Sequence, residues 1–165
     1  MIRDTIFSGR DLSRKSEDVP IEKIGSSEIQ RLIIDMKDTL AYYSLQIFAR
    51  AIAACQIGEY KNIIVVKRFR LLQLYDVYIN LRILEQHGNV KCEEGCISLP
   101  NIKRWVKRPK RVKVSYYDKY GNFVIKDLRG ILAQIISHEY DHTIGKTIIE
   151  RNIEMLENNN NERCL

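Results

Sequence analysis

The sequence predicts a single α+β domain, with short antiparallel strands around a central helix and a second, long helix towards the N-terminus. Three observations predict it. Residues 27–48 and 130–143 repeat their apolar side chains at helical spacing, residues 62–125 fall into short β-rich runs, and no internal repeat is present. The 165 residues are enough to bury one continuous core without disulfides or a partner chain. Residues 1–157 are expected to form this domain and residues 158–165 a polar, frayed tail, because the asparagine run there has nothing to bury.

Taken in order, residues 1–25 are polar and without period, and are expected to wrap over the domain. Ser27 followed by Gln30 is a capping-box pattern. Ile29, Leu32, Ile33, Met36, Leu40 and Tyr43 then line one face of a helix of about five turns. The small-residue segment 49–56 ends before Gly58 and would either extend that helix or form a closely packed loop. Ile63, Ile64, Val65 and Val66 make a short buried strand, and Leu74, Val77, Ile79, Leu81 and Ile83 belong to further strands. Residues 110–118 alternate through Val112, Val114 and Tyr116. The turn at Lys119, Tyr120, Gly121 and Asn122 leads into Phe123, Val124 and Ile125, which completes a β-hairpin. Helical spacing returns through Ile131, Leu132, Ile135, Ile136 and Tyr140, with Gly145 placed to cap the C-terminus.

Composition narrows the function. With 45% hydrophobic and 29% charged residues the chain fits a folded globular protein rather than a disordered or collagen-like one. A net charge of +6 permits acidic partners such as RNA or ribosomal surfaces without demanding them. No apolar run approaches the ~20 residues of a membrane span. The N-terminus, with Arg3, Asp4, Arg10 and Asp11, does not read as a secretory signal, so a cytoplasmic location is expected. A monomer is expected as well, although nothing in the sequence fixes the oligomeric state. The cysteines at 55, 92, 96 and 164 are too few and too irregular for a disulfide framework.

The strongest chemical signal is His138-Glu139-Tyr140-Asp141-His142. On a helix, positions i and i+4 project from one face, so two imidazoles can hold one metal while the adjacent glutamate reaches a water bound there. The central helix is therefore expected to be metal-binding, the alternative being buried histidines satisfied by hydrogen bonds. A catalytic site of this kind takes a third protein ligand and keeps one position open. Cys96 is a good candidate, since Gly95 before it lets the backbone approach closely, and His87 is the only other histidine. Cys92 supplies a rival: Cys92 and Cys96 with His138 and His142 would make a closed structural zinc site, which leaves Glu139 without a role. Cys55 and Cys164 read as ordinary thiols.

Three segments in this order, a small-residue stretch ending in Gln56, Glu94-Gly95-Cys96-Ile97-Ser98, and His138-Glu139-Tyr140-Asp141-His142, resemble the three motifs of the peptide deformylase family. The resemblance extends to the polar N-terminal wrap, the long first helix, an Ile79-Asn80 strand end and the Tyr120-Gly121 hairpin, and so covers nearly the whole chain. It implies a hydrolase that removes the formyl group from the N-formylmethionine of nascent polypeptides. It also implies one divalent metal, usually Fe2+, with Zn2+, Ni2+ or Co2+ as substitutes. Carried over residue by residue, Cys96, His138 and His142 would hold the ion, and Glu139 would act as general base and then general acid. The Gln56 amide and the Ile97 backbone N–H would steady the oxyanion. Glu94 and Arg108 match an ion pair that shapes the substrate cleft. Asp141 would support a ligand or anchor the helix, and both readings stay open.

The departures fall around the substrate. The family's first motif reads Gly-hydrophobic-Gly-Leu-Ala-Ala-x-Gln, whereas this chain has Ala49-Arg50-Ala51-Ile52-Ala53-Ala54-Cys55-Gln56, with both glycines replaced. The methyl of Ala51 would narrow the strand-like approach of substrate or forbid a positive φ, and Arg50 replaces an apolar residue near the pocket. Gln134 stands beside Ile135 where an aliphatic wall for methionine is expected. These changes bear on specificity more than on reaction type, and a pseudoenzyme is the corresponding alternative. Lys103, Arg104, Lys107, Arg108, Lys110, Arg111 and Lys113 surround Trp105 with no acid among them, which would suit a ribosome- or RNA-binding surface or a solvated sheet face. A zinc endoprotease would also use His-Glu-x-x-His, but not with a cysteine as its usual third ligand.

Overall fold

Ser26, one residue before the expected cap, starts the first helix. Its side chain accepts a hydrogen bond from Ile29 N, and α1 runs over Ser27–Gln46 in the computed structural model, which describes residues 1–5, 12–68 and 74–151. Gln30 does not close a capping box with Ser27. Its amide reaches out instead to Ile24 O at 2.8 Å and Lys119 O at 3.0 Å, tying the helix start to the distant hairpin turn. The expected tail and Cys164 lie outside the described residues.

Five strands form one antiparallel sheet in the order β1 (Ala51–Ala53), β2 (Ile63–Lys67), β3 (Tyr75–Cys96), β4 (Leu99–Tyr117) and β5 (Phe123–Arg129). The segment ending in Gln56 is thus neither a helix extension nor a loop. It is an edge strand followed by a 3₁₀ turn, Ala54–Ile57, which Gly58 stops at φ 85°. Asn80, expected at a strand end, sits inside β3 at a register shift with φ 54°. Its side chain grips the backbone N and O of Val19 at 2.8 and 2.7 Å.

The sheet is buried on both faces around β2, which explains why its four apolar residues run without alternation. Ile63 and Val65 pack with Leu32, Ile33 and Met36 of α1. Ile64 and Val66 pack on the other face with Ala133 and Ile136 of α2 (Ile131–Thr143). In β1, Ile52 faces α1, while Ala51 and Ala53 face α2 and let that helix sit close. Of the segment expected to wrap over the domain, residues 1–5 lie along α1, where Arg3 pairs with Asp35 through both Nε and Nη2 at 3.0 Å.

At its C-terminus α2 closes with a Schellman turn, Lys146 N to Asp141 O at 2.8 Å and Gly145 N to His142 O at 3.1 Å. Gly145 has φ 74°, and a Cβ there would lie 2.2 Å from Ser13 O. Gly145→Ala should therefore destabilise the fold by about 2 kcal/mol or more, since both the backbone conformation and the contact are forbidden to it. Urea denaturation of the two proteins measures the difference.

Candidate metal centre and active site

Helical spacing puts His138 and His142 one turn apart on α2, with ring centroids 5.0 Å from each other. Cys96 comes from the last residue of β3, opposite Leu99 across the two-residue turn Ile97-Ser98. The turn brings the thiol to the helix: Cys96 Sγ lies 3.2 Å from His142 Nε2, and the ligand atoms of Cys96, His138 and His142 all lie within 4.8 Å of one another. Among the described residues no other cluster of three His, Cys, Asp or Glu side chains has this closeness.

The donor set fits a divalent ion. His138 Nδ1 is bonded to Glu94 Oε2 at 2.8 Å, which leaves Nε2 as its ligand atom. Within the site, Glu139 Oε2 and His142 Nδ1 are buried without a hydrogen-bond partner. Cys92, the candidate fourth ligand, stays apart. Its sulfur sits 3.6 Å from Glu94 Oε1 and 3.8 Å from Val106 O, and burial pushes the thiol up to about 11. Cys55 is buried against His142 O and pushed up to about 12, mainly by burial and then by the nearby Glu139 charge.

Arg108 joins these parts. Only 3% exposed, its guanidinium donates through Nε and Nη2 to the two oxygens of Glu94, each at 2.9 Å, and through Nη1 to Asp141 and to Ser137 O. Arg151 completes Asp141 with contacts of 3.0 and 2.6 Å. Asp141 thus anchors the helix to the sheet. Burial would raise the Glu94 carboxyl, but the hydrogen bonds from His138 and Arg108 overcome it and hold the group at about 2. Glu139 has no such compensation. Burial lifts it to about 7, against the lowering effect of the His138 charge. Burial also keeps His142 well below its ordinary value, whereas His138 is raised, since its bonds to Cys96 and Glu94 outweigh burial.

Gln56 is locked by the 3₁₀ turn that carries it. Ala53 N donates to its Oε1 at 2.8 Å, so its Nε2 faces the centre, donating to Ser98 Oγ at 3.2 Å and Cys96 Sγ at 3.3 Å. Sequence reasoning gave Ser98 no role of its own, although it stands two residues from Cys96. A cleft of about 740 Å³ opens beside this group. Gln56, Gly95, Ile97 and Glu139 line its inner part, Gln134 and Ile135 one wall, and Arg50 and Ala51 the edge of β1. Arg108 is buried, bonded to Glu94, and does not line this cleft. Ala51 keeps a negative φ, so its methyl brings no backbone strain. A side chain at Gly95 would meet only Ile102 O at 3.8 Å, so the expected close packing inside the fold is not what places glycine there.

The basic stretch finds acids from neighbouring strands that the linear sequence conceals. Lys103 pairs with Glu93, Arg111 with Asp127 and Lys113 with Glu85, at 3.4, 2.9 and 3.1 Å. Lys91 lies over the Trp105 ring.

Residues 6–159 match the family described as Polypeptide deformylase. A peptide deformylase of Tolumonas auensis is 34% identical over 131 residues, 79% of this chain and 75% of that protein. The chain belongs to the polypeptide deformylase family. Solved deformylases share the fold. The Thermotoga maritima enzyme superposes with a TM-score of 0.81 at 30% identity, covering 92% of this chain and 97% of that one. The Acinetobacter baumannii class I type b deformylase, solved with Met-Ala-Ser bound, gives 0.82 at 28%, covering 92% and 98%. The chain is accordingly a hydrolase of N-terminal protein processing, and its α+β architecture is that of the deformylases.

If Cys96, His138 and His142 hold an ion, Cys92→Ser should retain it and Cys96→Ser should lose it. Metal content after dialysis, measured alongside circular dichroism, checks both.

Proposed function

We propose that this deformylase removes the formyl group from the N-formylmethionine of nascent polypeptides, with one divalent ion held by Cys96, His138 and His142. The observation that carries the reading is the orphaned Glu139 Oε2, buried beside a three-ligand cluster that opens on the cleft. The ion, when bound, supplies Lewis acidity to a water and to the formyl oxygen. One thiolate and two imidazoles suit Fe2+, the family's usual metal, as well as Zn2+, Co2+ or Ni2+.

The remaining work falls to the chain. Glu139 takes a proton from the attacking water and returns it to the departing amine. Its carboxylate is buried with one oxygen unpartnered, which places it to exchange a proton with that water. Gln56 Nε2 is held in place by Ser98 and supplies a donor to the developing oxyanion, with the Ile97 N–H as the second. Lys67 N donates to Arg50 O at 2.8 Å, so strand alternation turns the N–H and C=O of Ala51 to the open edge of the sheet. A peptide can add there as a sixth strand, with its methionine side chain towards Gln134 and Ile135. The Met-Ala-Ser seen in the Acinetobacter relative is what remains after formyl-Met-Ala-Ser loses its formyl group, which supports the same substrate class here. Contact with the ribosome through residues 103–113 would fall mainly to Arg104, Lys107 and Lys110, which carry no ion pair among the described residues.

Release of formate from formyl-Met-Ala-Ser, with no cleavage of the unformylated peptide, is the expected result for the metal-replete protein. Glu139→Gln should keep the ion and lose several orders of magnitude in turnover. Gln56→Ala should lose about 10²–10³, mostly in kcat, as for one oxyanion donor. Metal-replete Glu139→Gln that remains active would overturn the assignment.

Gln134→Ile should sharpen selectivity for methionine over polar first residues by about 1–3 kcal/mol in kcat/KM, by removing an amide from an otherwise apolar wall. Competition between formyl-Met and formyl-Ser peptides measures it.

A further inference from the structure

Arg50 is exposed at the rim of the cleft, and it does not share the wall formed by α2. The bond from Lys67 N to its carbonyl continues the β1–β2 ladder by one residue and sets the two cations directly opposite each other. Residues so paired project to one face, here the face of Ile52 and Val65, away from α2. Lys67 Nζ is bonded to the neutral Ser44 Oγ at 3.0 Å, and neither cation has a carboxylate partner among the described residues. Like charges facing across a ladder repel each other. An arriving anion would relieve that repulsion.

We propose that Arg50, backed by Lys67, is a specificity-determining residue that favours formylated peptides with an acidic second residue. The inference rests on the cleft reading above. A peptide added antiparallel to β1 runs outward from Gln56 past Ala51 and over Arg50. If its methionine side chain turns towards α2, the alternation of a strand sends the next side chain to the opposite face, where Arg50 and Lys67 lie.

The test compares kcat/KM of the metal-replete enzyme for formyl-Met-Glu-Ser, formyl-Met-Ala-Ser and formyl-Met-Lys-Ser. At about 20 mM salt the glutamate peptide should lead alanine by about three- to ten-fold, chiefly through KM, with lysine last; the gap should shrink at about 300 mM. Arg50→Glu should reverse the order of the charged peptides. Lys67→Met, which leaves Arg50 in place, should weaken the preference without reversing it. Equal kcat/KM for the three peptides, or an unchanged order in Arg50→Glu, would overturn the proposal. Failure to release formate from any peptide would count against the deformylation reading instead. Binding of Met-Glu-Ser and Met-Ala-Ser to the same protein, by calorimetry, would then decide the charge preference alone: tighter Met-Glu-Ser supports it and equal affinity overturns it.

Discussion

The buried guanidinium of Arg108 is the constraint on which the site depends. It draws one carboxylate from β3 and one from α2, so Glu94 and Asp141 are fixed relative to each other through a single charged group. Glu94 passes the restraint on to His138 Nδ1, which orients the ring. The chain Asp141, Arg108, Glu94, His138 thus leaves the helix, crosses two strands and returns to the helix one turn earlier. Deleting one member would strand a buried charge, typically a loss of about 3–5 kcal/mol. The network therefore holds the geometry more firmly than any surface ion pair could.

The sheet supplies the second half of that geometry. Because β2 is covered on both faces, the sheet fixes α1 and α2 on opposite sides and leaves β1 as an edge next to α2. Alanines at 51 and 53 set the distance between that edge and the helix. Their smallness serves packing against α2, and it needs no unusual backbone angle. Alanine at 51, where the family pattern has glycine, thus fits the strand without strain.

Much of this was legible in the sequence because it rests on local periodicity. The α1 stripe from Ile29 to Leu40, the buried β2 run, the hairpin at Gly121 and the two imidazoles on α2 all follow from spacing within a few residues. The motif residues Cys96, Gln56 and Glu139 were also legible, through their resemblance to a family. What escaped was long-range. The lengths of β3 and β4, 22 and 19 residues, are hidden by their exposed, charge-rich middle, which has no apolar alternation to read. Acids on β3 and β5 that neutralise the basic stretch are visible only once the register is known. Arg108 did leave a trace, since it shares strand parity with the buried Val106 and Val112. The partner on its α2 side, Asp141, stands 33 residues away and could not be read from that trace.

The two-residue turn at Ile97-Ser98 has a thermodynamic consequence. The imidazoles ride on a helix pinned at its end by the turn around Gly145, whereas the thiol is carried on the tip of a long hairpin. That tip is docked through Leu99 and Val106 on Ile148, and through the Glu94 clamp. An ion held by Cys96, His138 and His142 would tie the hairpin tip to the helix a second time. Because such a site exists only in the folded chain, binding the ion would stabilise the fold by the free energy with which folding strengthens the binding, so metal affinity and fold stability are linked.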